Sequence, residues 1–267
     1  MTREELFLQM KAKGTMLCVG LDTDYAKIPE CVKAGRSMAD AVLEFNKRII
    51  DATSDHCVAY KPNLAFYECL GLEGMSILDK TVDYLRANHP EQFLIADAKR
   101  GDIGNTAKMY AKSLFETFDF DAVTISPYMG SETVTPFLAY PGRYAIVVAL
   151  SSNPSSVDFQ TAVKEEKPLY QVVMEKMMSI STPENMMFVV GATKADKLKE
   201  IRQFCPDNFF LVPGVGAQGG SAEEVMANGA NDLGGLLINS SRGVLYASAG
   251  EDFAQAAAES AAKTAAF

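Results

Sequence analysis

The chain lacks the residues on which several common kinds of active site are built. Its 267 residues include no tryptophan and only two histidines, His56 and His89, so a multi-histidine metal centre or a Ser-His-Asp triad is hard to assemble. The five cysteines are scattered and form no C-x-x-C pair, which is typical of reduced thiols rather than of a disulfide framework or a zinc site. We therefore expect lysines and carboxylates to carry out any proton transfer.

Long apolar runs and positive charge are also scarce. No run reaches about 18 apolar residues, and the opening Met-Thr-Arg-Glu-Glu-Leu has no apolar signal core, which predicts a cytoplasmic protein without a membrane span. The formal net charge of −9 disfavours binding to nucleic acid or to an anionic membrane, because both need a basic surface. A single phosphate on a small ligand is still compatible, since a few backbone amides and one arginine can bind it.

What the chain does contain is a regular alternation of short apolar runs and helical patterns. Strands are predicted at 15–21, 56–61, 92–96, 120–125, 144–150, 186–190, 208–212 and 235–239. Helices are predicted at 38–52, 75–87, 105–118, 131–138, 168–179, 194–204, 221–228 and from 252 onward. This pattern, without a linker or repeat, predicts a single α/β domain over residues 1–267, a (β/α)8 TIM barrel whose active site lies at the carboxyl ends of the strands.

The most informative stretch follows the third predicted strand and reads Asp97-Ala-Lys99-Arg-Gly-Asp102. Because side chains alternate along a strand, Asp97 and Lys99 should project to the same side. Asp102 lies beyond Gly101, so it can either turn back toward its own Lys99 or reach a neighbouring subunit. A solvated salt bridge is the ordinary alternative, but a carboxylate directly against an apolar run needs a strong reason to be there.

Polar residues also stand just past other predicted strands. They are Asp22, Lys61, Ser151, Ser152, the turn 214–218 and Arg242. Each has an ordinary explanation as a helix cap or a loop residue, but a closed barrel brings all of them around one mouth. The glycine-rich turn and Arg242 flank the eighth strand, the usual barrel position for a phosphate, and Gln218 can close over the ligand.

Opposite this corner, Lys61, Asp97, Lys99 and Asp102 alternate in sign. Each carboxylate has a lysine close enough in sequence or fold to pair with, so no metal need be invoked. The flanking carboxylates favour the charged form of Lys99. A cationic lysine aimed into a water-poor pocket suits a reaction that develops negative charge on carbon, which the ammonium can stabilise and then protonate.

Taken together, these motifs resemble the orotidine 5′-phosphate decarboxylase family over essentially the whole chain. The most specific match is Asp97-Ala-Lys99-Arg-Gly-Asp102-Ile-Gly-Asn-Thr106, which is similar to that family's Asp-x-Lys-x-x-Asp-Ile-x-Asn-Thr signature. Further similar segments are Tyr60-Lys-Pro-Asn63, Ser151-Ser-Asn-Pro, Pro213-Gly-Val-Gly-Ala-Gln218 and Arg242-Gly. They look like the longer-loop branch found in some bacteria and parasites. The resemblance implies decarboxylation of orotidine monophosphate to UMP, without a cofactor, by a homodimer with its sites at the interface.

The resemblance also implies a role for each matched residue. Lys99 would protonate C6 as CO2 leaves, and Asp97 would face the substrate carboxylate. Lys61 of the same subunit and Asp102 of the partner subunit would complete the charged array. The remaining contacts would be Asp22 and the partner's Thr106 with ribose hydroxyls, Ser152 (Ser151 if the alignment slips by one) with the pyrimidine, and Gln218 and Arg242 with the phosphate. Asn63 and Pro213 would line the site, and Ser241 stands where relatives often have glycine.

Two other functions remain open from the sequence. Magnesium-dependent relatives on the same barrel, a 3-keto-gulonate-phosphate decarboxylase or a hexulose-phosphate synthase, share the Asp-x-Lys-x-x-Asp core. The pair Lys61 and Lys99 argues against a divalent cation between them. A catalytically silent nucleotide-binding barrel is the second alternative, since a fold alone does not prove chemistry.

Overall fold

The structure is a computed structural model that describes residues 1–164, 166–215 and 221–266. In this part of the chain, eight parallel strands close into a barrel, with β1 paired to both β2 and β8. The strands β1 to β8 are Leu17–Gly20, Ala59–Lys61, Phe93–Arg100, Ala122–Ile125, Tyr144–Leu150, Met186–Val190, Phe210–Pro213 and Leu236–Ser240. The predicted α/β barrel is therefore confirmed, and each predicted strand overlaps an observed one.

Helices connect the strands and cover the outside of the barrel. In chain order, α1 to α12 are Arg3–Lys13, Glu30–Lys33, Met38–Thr53, Ala65–Glu68, Gly71–Asn88, Gly104–Lys112, Ser131–Leu138, Leu169–Met178, Ala195–Phe204, Ala222–Gly229, Arg242–Leu245 and Phe253–Lys263. In the described ranges, no helix is long and apolar enough to cross a membrane.

The core lies inside the barrel and between the strands and the helices. All residues of β1, β4 and β6 are buried, as expected for parallel strands covered on both faces. Helix α3 shows how the outer layer is held: Val42, Phe45 and Ile49 recur at helical spacing and are buried. Burying each such side chain contributes about 1.5–3 kcal/mol, so the apolar stripe fixes the helix against the barrel.

Helix α1 was not predicted from the sequence. Thr2 and Glu5 form a capping box at its start, and Gly14 ends it in the left-handed conformation with φ 62°. Its buried residues are Leu6 and Met10. The helix therefore packs beside the amino ends of the strands, away from the expected active site.

Strand β3 continues past the predicted end at Ala96 and reaches Arg100. Its register with β4 shifts between Ala96 and Arg100, and Lys99 has a positive φ of 45°. An irregular strand end of this kind re-aims a side chain. The charged stretch is therefore a distorted extension of the strand rather than a loop that follows it.

The long polar segment after β5 is also ordered. A 3-10 turn at Pro154–Asp158 is followed by two short antiparallel strands, Val163–Lys164 and Lys167–Pro168. Gln160 accepts a hydrogen bond from the backbone N–H of Ser151 at 2.7 Å. This segment is thus tied back to the end of β5, where the predicted serine pair lies.

Candidate active site

A cavity of about 210 Å³ opens at the carboxyl ends of the barrel strands. It is lined by Asp22, Lys61, Asn63, Asp97, Pro213, Gly214, Val215, Asn239, Ser241 and Arg242. A larger cavity of about 380 Å³ lies beside it, but its lining is mostly apolar, with Phe159, Leu169 and Val173, and includes no charged residue. The smaller cavity is the candidate active site because four of the predicted charged residues converge there, namely Asp22, Lys61, Asp97 and Arg242.

Asp97 is held between two lysines. Its Oδ2 accepts from Lys61 Nζ at 2.9 Å and its Oδ1 from Lys99 Nζ at 2.5 Å. Burial alone would raise the pKa of Asp97, but the two ammonium groups hold it well below its ordinary value. Burial would likewise lower the pKa of Lys61, yet Asp97 and Asp22 keep it above its ordinary value. Asp97 and Lys61 are therefore both charged near neutral pH.

The two lysines differ in their surroundings. The side chain of Lys61 is 4% exposed, whereas that of Lys99 is 55% exposed. The water-poor environment expected for Lys99 is thus absent around the single chain. Lys61 lines the cavity, whereas Lys99 is not among the lining residues in the described ranges. The predicted proximity of Lys99 to Asp97 is present, although β3 is distorted between them.

The loop after β2 is hydrogen-bonded to the backbone of Asp97. The N–H of Asp97 donates to Pro62 O at 3.0 Å, and Leu64 N–H donates to Asp97 O at 3.2 Å. Asn63 Oδ1 accepts from Ala65 N–H at 3.1 Å. Its side chain is thereby oriented by its own loop while the residue lines the cavity.

Two oxygen atoms of the site have no hydrogen-bond partner among the described residues. They are Asp22 Oδ1 and Asn239 Oδ1, both buried. A buried acceptor without a donor is costly, so these two atoms are suited to receive hydroxyl or N–H groups from a ligand.

Close packing shapes the corner near Arg242. A Cβ on Gly20 would overlap Ser241 Oγ, so glycine at position 20 makes room for the serine. Arg242 begins helix α11 and is exposed, while Gly214 has a φ of 100°, a conformation that favours glycine. The predicted contact residue Gln218 lies outside the described residues.

The two serines after β5, Ser151 and Ser152, contact different parts of the structure. Ser151 Oγ donates to Asn153 Oδ1 at 2.6 Å and accepts from Gln160 Nε2 at 2.8 Å. Ser152 packs against Gly191, where an added Cβ would lie 2.6 Å from Ser152 N. The hydroxyl of Ser151 is thus committed to the loop itself. Neither serine lines the cavity as described.

Asp102 and Thr106 lie away from this cavity. Asp102 Oδ1 accepts from the backbone N–H of Ile103 at 2.8 Å, and in the described part of the chain no ion pair joins it to Lys99. Thr106 is on helix α6 and is exposed. Of the two possibilities for Asp102 left open by the sequence, the turn back toward its own Lys99 is not adopted.

Sequence reasoning missed two polar residues of the site, Thr124 and Asn239. Thr124 Oγ1 donates to Asp97 Oδ1 at 3.0 Å, and Asn239 lines the cavity. Both lie within apolar strands, Ala-Val-Thr-Ile and Leu-Leu-Ile-Asn-Ser, whereas the predicted site residues stand at or just past the strand ends. A lone polar residue near the carboxyl end of a buried strand is the signal that could have found them.

The arrangement defines a class of protein, an α/β-barrel enzyme whose mouth binds a small anionic ligand. Fixed ammonium groups can stabilise negative charge that develops on a ligand atom, orphaned acceptors can receive its hydroxyls, and Arg242 can hold an anion.

Comparison with known proteins identifies the family. A sequence profile described as "Orotidine 5'-phosphate decarboxylase / HUMPS family" matches residues 15–259. The chain is 53% identical over 257 residues to an orotidine 5'-phosphate decarboxylase of Christiangramia forsetii, covering 96% of this chain and 93% of that protein. It is 51% identical over 264 residues to the Bacteroides fragilis (strain YCH46) enzyme of the same name, covering 98% and 95%. The chain belongs to the orotidine 5′-phosphate decarboxylase family.

Solved structures agree with this assignment. A putative orotidine-monophosphate-decarboxylase from Toxoplasma gondii superposes with a TM-score of 0.81 at 36% identity, covering 95% of this chain and 92% of that one. The OMP decarboxylase of Leishmania donovani gives a TM-score of 0.81 at 36% identity, covering 97% and 95%. The sequence-based resemblance, including its likeness to parasite proteins, is therefore confirmed at the level of the family.

Proposed function

We propose that Lys99 protonates C6 of the pyrimidine while Asp97 and Lys61 hold it in place. The chain is a carboxy-lyase that converts orotidine 5′-monophosphate to UMP and CO2, the last step of de novo pyrimidine synthesis. The observation that supports the proposed roles is the hydrogen-bonded group of Lys61, Asp97 and Lys99, of which Lys61 and Asp97 line the cavity. We include in the proposal that the reaction needs neither a metal nor another cofactor.

The chemical step balances with Lys99 as the proton source. The bond between C6 and the carboxylate carbon breaks, CO2 leaves, and the electron pair stays on C6. The ammonium of Lys99 stabilises this pair and transfers a proton to it, which forms the C6–H bond. The neutral amine then regains a proton from solvent. Asp97 cannot be the donor because its lowered pKa keeps it ionised.

The proposed substrate contacts combine residues that line the cavity with positions that the resemblance to the family indicates. Arg242 is assigned to the phosphate together with Gln218, and Asp22, with its orphaned Oδ1, to a ribose hydroxyl. Asn63 and Pro213 line the site. For the pyrimidine we assign Ser152, the position that the resemblance to the family indicates within Ser151-Ser-Asn-Pro.

Asp102 and Thr106 are proposed to act in the site of a second subunit. Exposed apolar side chains occur close to them in the chain, namely Ile103, Met109 and Tyr110, and after the neighbouring strand β4, namely Tyr128 and Met129, with Tyr128 87% exposed. Exposed apolar side chains that form a patch are typical of a protein interface, and we propose that these residues form one. A homodimer would cover it and bring the partner's Asp102 toward the half-exposed Lys99, which would remove water from that lysine.

We further propose that residues 1–267 form one decarboxylase domain that works in the cytoplasm. The free cysteines Cys18, Cys31, Cys57, Cys69 and Cys205 are compatible with a reducing compartment.

Subunit mixing tests the proposed roles directly. Decarboxylation is followed by the ultraviolet absorbance of orotidine monophosphate with Lys99→Ala, Asp102→Ala and an equimolar refolded mixture of both. Each variant alone should be inactive. Random pairing should restore about a quarter of wild-type activity, because half of the dimers are mixed and each holds one intact site. Activity in Lys99→Ala would remove Lys99 from the mechanism, and a mixture without activity would overturn the shared site.

A magnesium-dependent relative with a sugar-phosphate substrate is the second candidate. The ion pair of Lys61 with Asp97 at 2.9 Å disfavours it, because the ammonium occupies the carboxylate that a cation would need. Turnover of orotidine monophosphate that persists in EDTA would support our proposal. Loss of turnover in EDTA and its return with Mg²⁺ would support the alternative.

A further inference from the structure

We infer that Thr124 is a positioning residue that holds Asp97 and Lys99 in register for proton delivery. Thr124 lies near the end of β4 and is 1% exposed. It is not among the residues that line the cavity in the described ranges, so it acts through its neighbours. The inference rests on the proposed role of Lys99 and adds a residue outside every motif found in the sequence.

One hydroxyl connects both members of the charged pair. Thr124 Oγ1 accepts the backbone N–H of Lys99 at 2.9 Å and donates to Asp97 Oδ1 at 3.0 Å. A threonine hydroxyl has a single proton to donate, so these two bonds fix its orientation. Asp97 Oδ1 is also the atom that receives Lys99 Nζ. Thr124 thus sets both the backbone position of Lys99 and the carboxylate oxygen that its ammonium contacts.

The backbone at this point needs such support. Lys99 has a φ of 45°, a conformation that residues with a side chain rarely adopt and that persists only when its surroundings enforce it. The register between β3 and β4 shifts here, so regular strand pairing does not by itself determine where Lys99 lies. The hydrogen bond to a buried side chain of β4 supplies that constraint.

Two variants of Thr124 distinguish a role in hydrogen bonding from a role in packing, because the two roles predict opposite orders of activity. Thr124→Val keeps the shape and loses the hydroxyl, whereas Thr124→Ser keeps the hydroxyl and loses a methyl group. If Thr124 only fills space, the serine variant is the weaker one because it leaves a cavity. If its hydrogen bonds matter, the valine variant is the weaker one because Asp97 and Lys99 lose their common partner.

The test is steady-state kinetics and product binding for both variants. We expect Thr124→Val to lower kcat by about 10–100-fold, the scale of a small misplacement of reacting groups. Its KM and its Kd for UMP should change by less than about threefold, since Thr124 is not among the residues that line the cavity in the described ranges. Thr124→Ser should restore kcat to within about threefold of wild type. Equal activity of the two variants, or a better valine variant, would overturn the inference.

Thr133→Val is the matched control. Thr133 is fully buried on helix α7, and its Oγ1 has no hydrogen-bond partner among the described residues, so removal of that hydroxyl should leave kcat unchanged. If Thr124→Val does not fold, Thr124→Ala replaces it and should still fall below Thr124→Ser in kcat.

The two levels of the proposal fail in different ways. An active Lys99→Ala enzyme would overturn the proposed function. An inactive Lys99→Ala enzyme together with a fully active Thr124→Val enzyme would overturn only the inference about Thr124.

Discussion

Both ends of the barrel carry clusters of charge, but the clusters are bonded differently. At the amino end, Arg143 donates to Phe120 O at 2.8 Å and pairs with Asp119 and Asp121. Arg202 there donates to the backbone oxygens of Cys205, Pro206, Asn208, Gly229 and Gly235. At the carboxyl end, Asp97 is paired, yet oxygens of Asp22 and Asn239 stay unbonded among the described residues.

The difference shows which features point to function. Ion pairs occur at both ends, so a charged cluster alone does not identify a site. The amino end also has a polar cavity, lined by Arg202 and Asp207, and a buried oxygen without a partner in the described ranges, Gln9 Oε1, but that oxygen does not line the cavity. At the carboxyl end the two features coincide, because Asp22 and Asn239 line one cavity, and Lys99 nearby has a positive φ. We therefore expect substitutions at the carboxyl end to change activity and those at the amino end to change stability.

The largest expected effect is the loss of activity in Lys99→Ala. We expect kcat to fall by about 10⁴-fold or more, because both proton transfer and charge stabilisation are lost. The unfolding free energy in urea should change by less than about 1 kcal/mol, since the side chain is largely exposed and Asp97 keeps Lys61. Lys197→Ala, which removes a similarly exposed lysine paired with Glu200, should leave both quantities unchanged. A destabilised Lys99→Ala protein would contradict the expectation that substitutions at the carboxyl end change activity and those at the amino end change stability.

Asp97→Asn tests a residue of the carboxyl end that we expect to affect both activity and stability. Removing its charge leaves the buried Lys61 without its partner and should destabilise the fold by about 3 kcal/mol at pH 7. The lowered pKa of Asp97 means that its stabilisation is complete above its ordinary value of 3.8 and is lost as the pH falls toward the native value.

Urea unfolding at pH 7 and pH 3 checks this dependence. The difference between wild type and Asp97→Asn should be about 1 kcal/mol smaller at pH 3 than at pH 7. A difference that is constant over this range would contradict the ion-paired state of Asp97.

Arg143→Ala should have the converse effect at the amino end. The unfolding free energy should fall by about 2 kcal/mol, because Arg143 donates charged hydrogen bonds to Phe120 O, Asp119 and Asp121. The kcat of the folded variant should equal that of wild type. A lowered kcat measured well below the melting temperature would show that the two ends are coupled.

The smallest expected effect is the slow reaction of the buried thiols. Burial raises the pKa of Cys57 and of Cys205 to about 12 and that of Cys18 further, so these three should resist a disulfide-exchange reagent. Cys31 and Cys69 are exposed and should react first. Rapid reaction of all five thiols in the native protein would show that the amino end opens readily.

The sequence predicted the barrel well because each strand is a short apolar run between helical patterns, and Ser131–Leu138 and Tyr144–Leu150 were predicted to the residue. It also predicted that Asp22, Lys61, Asn63, Asp97, Pro213 and Arg242 would share one cavity. It did not predict the distortion at Lys99, because the shift in strand pairing depends on tertiary contacts with β4. Thr124 was not predicted for the same reason, because its hydrogen bonds to Lys99 and Asp97 join two strands and local spacing does not reveal them.

The close approach of Gly20 to Ser241 links the evolutionary histories of two positions that are distant in the chain. A side chain at position 20 has room only once position 241 has become glycine, whereas glycine at position 20 accepts either residue at 241. A lineage can therefore exchange Ser241 for glycine first and Gly20 for alanine afterwards, but not in the reverse order. Descendants that carry alanine at position 20 should retain glycine at 241 as a record of that path.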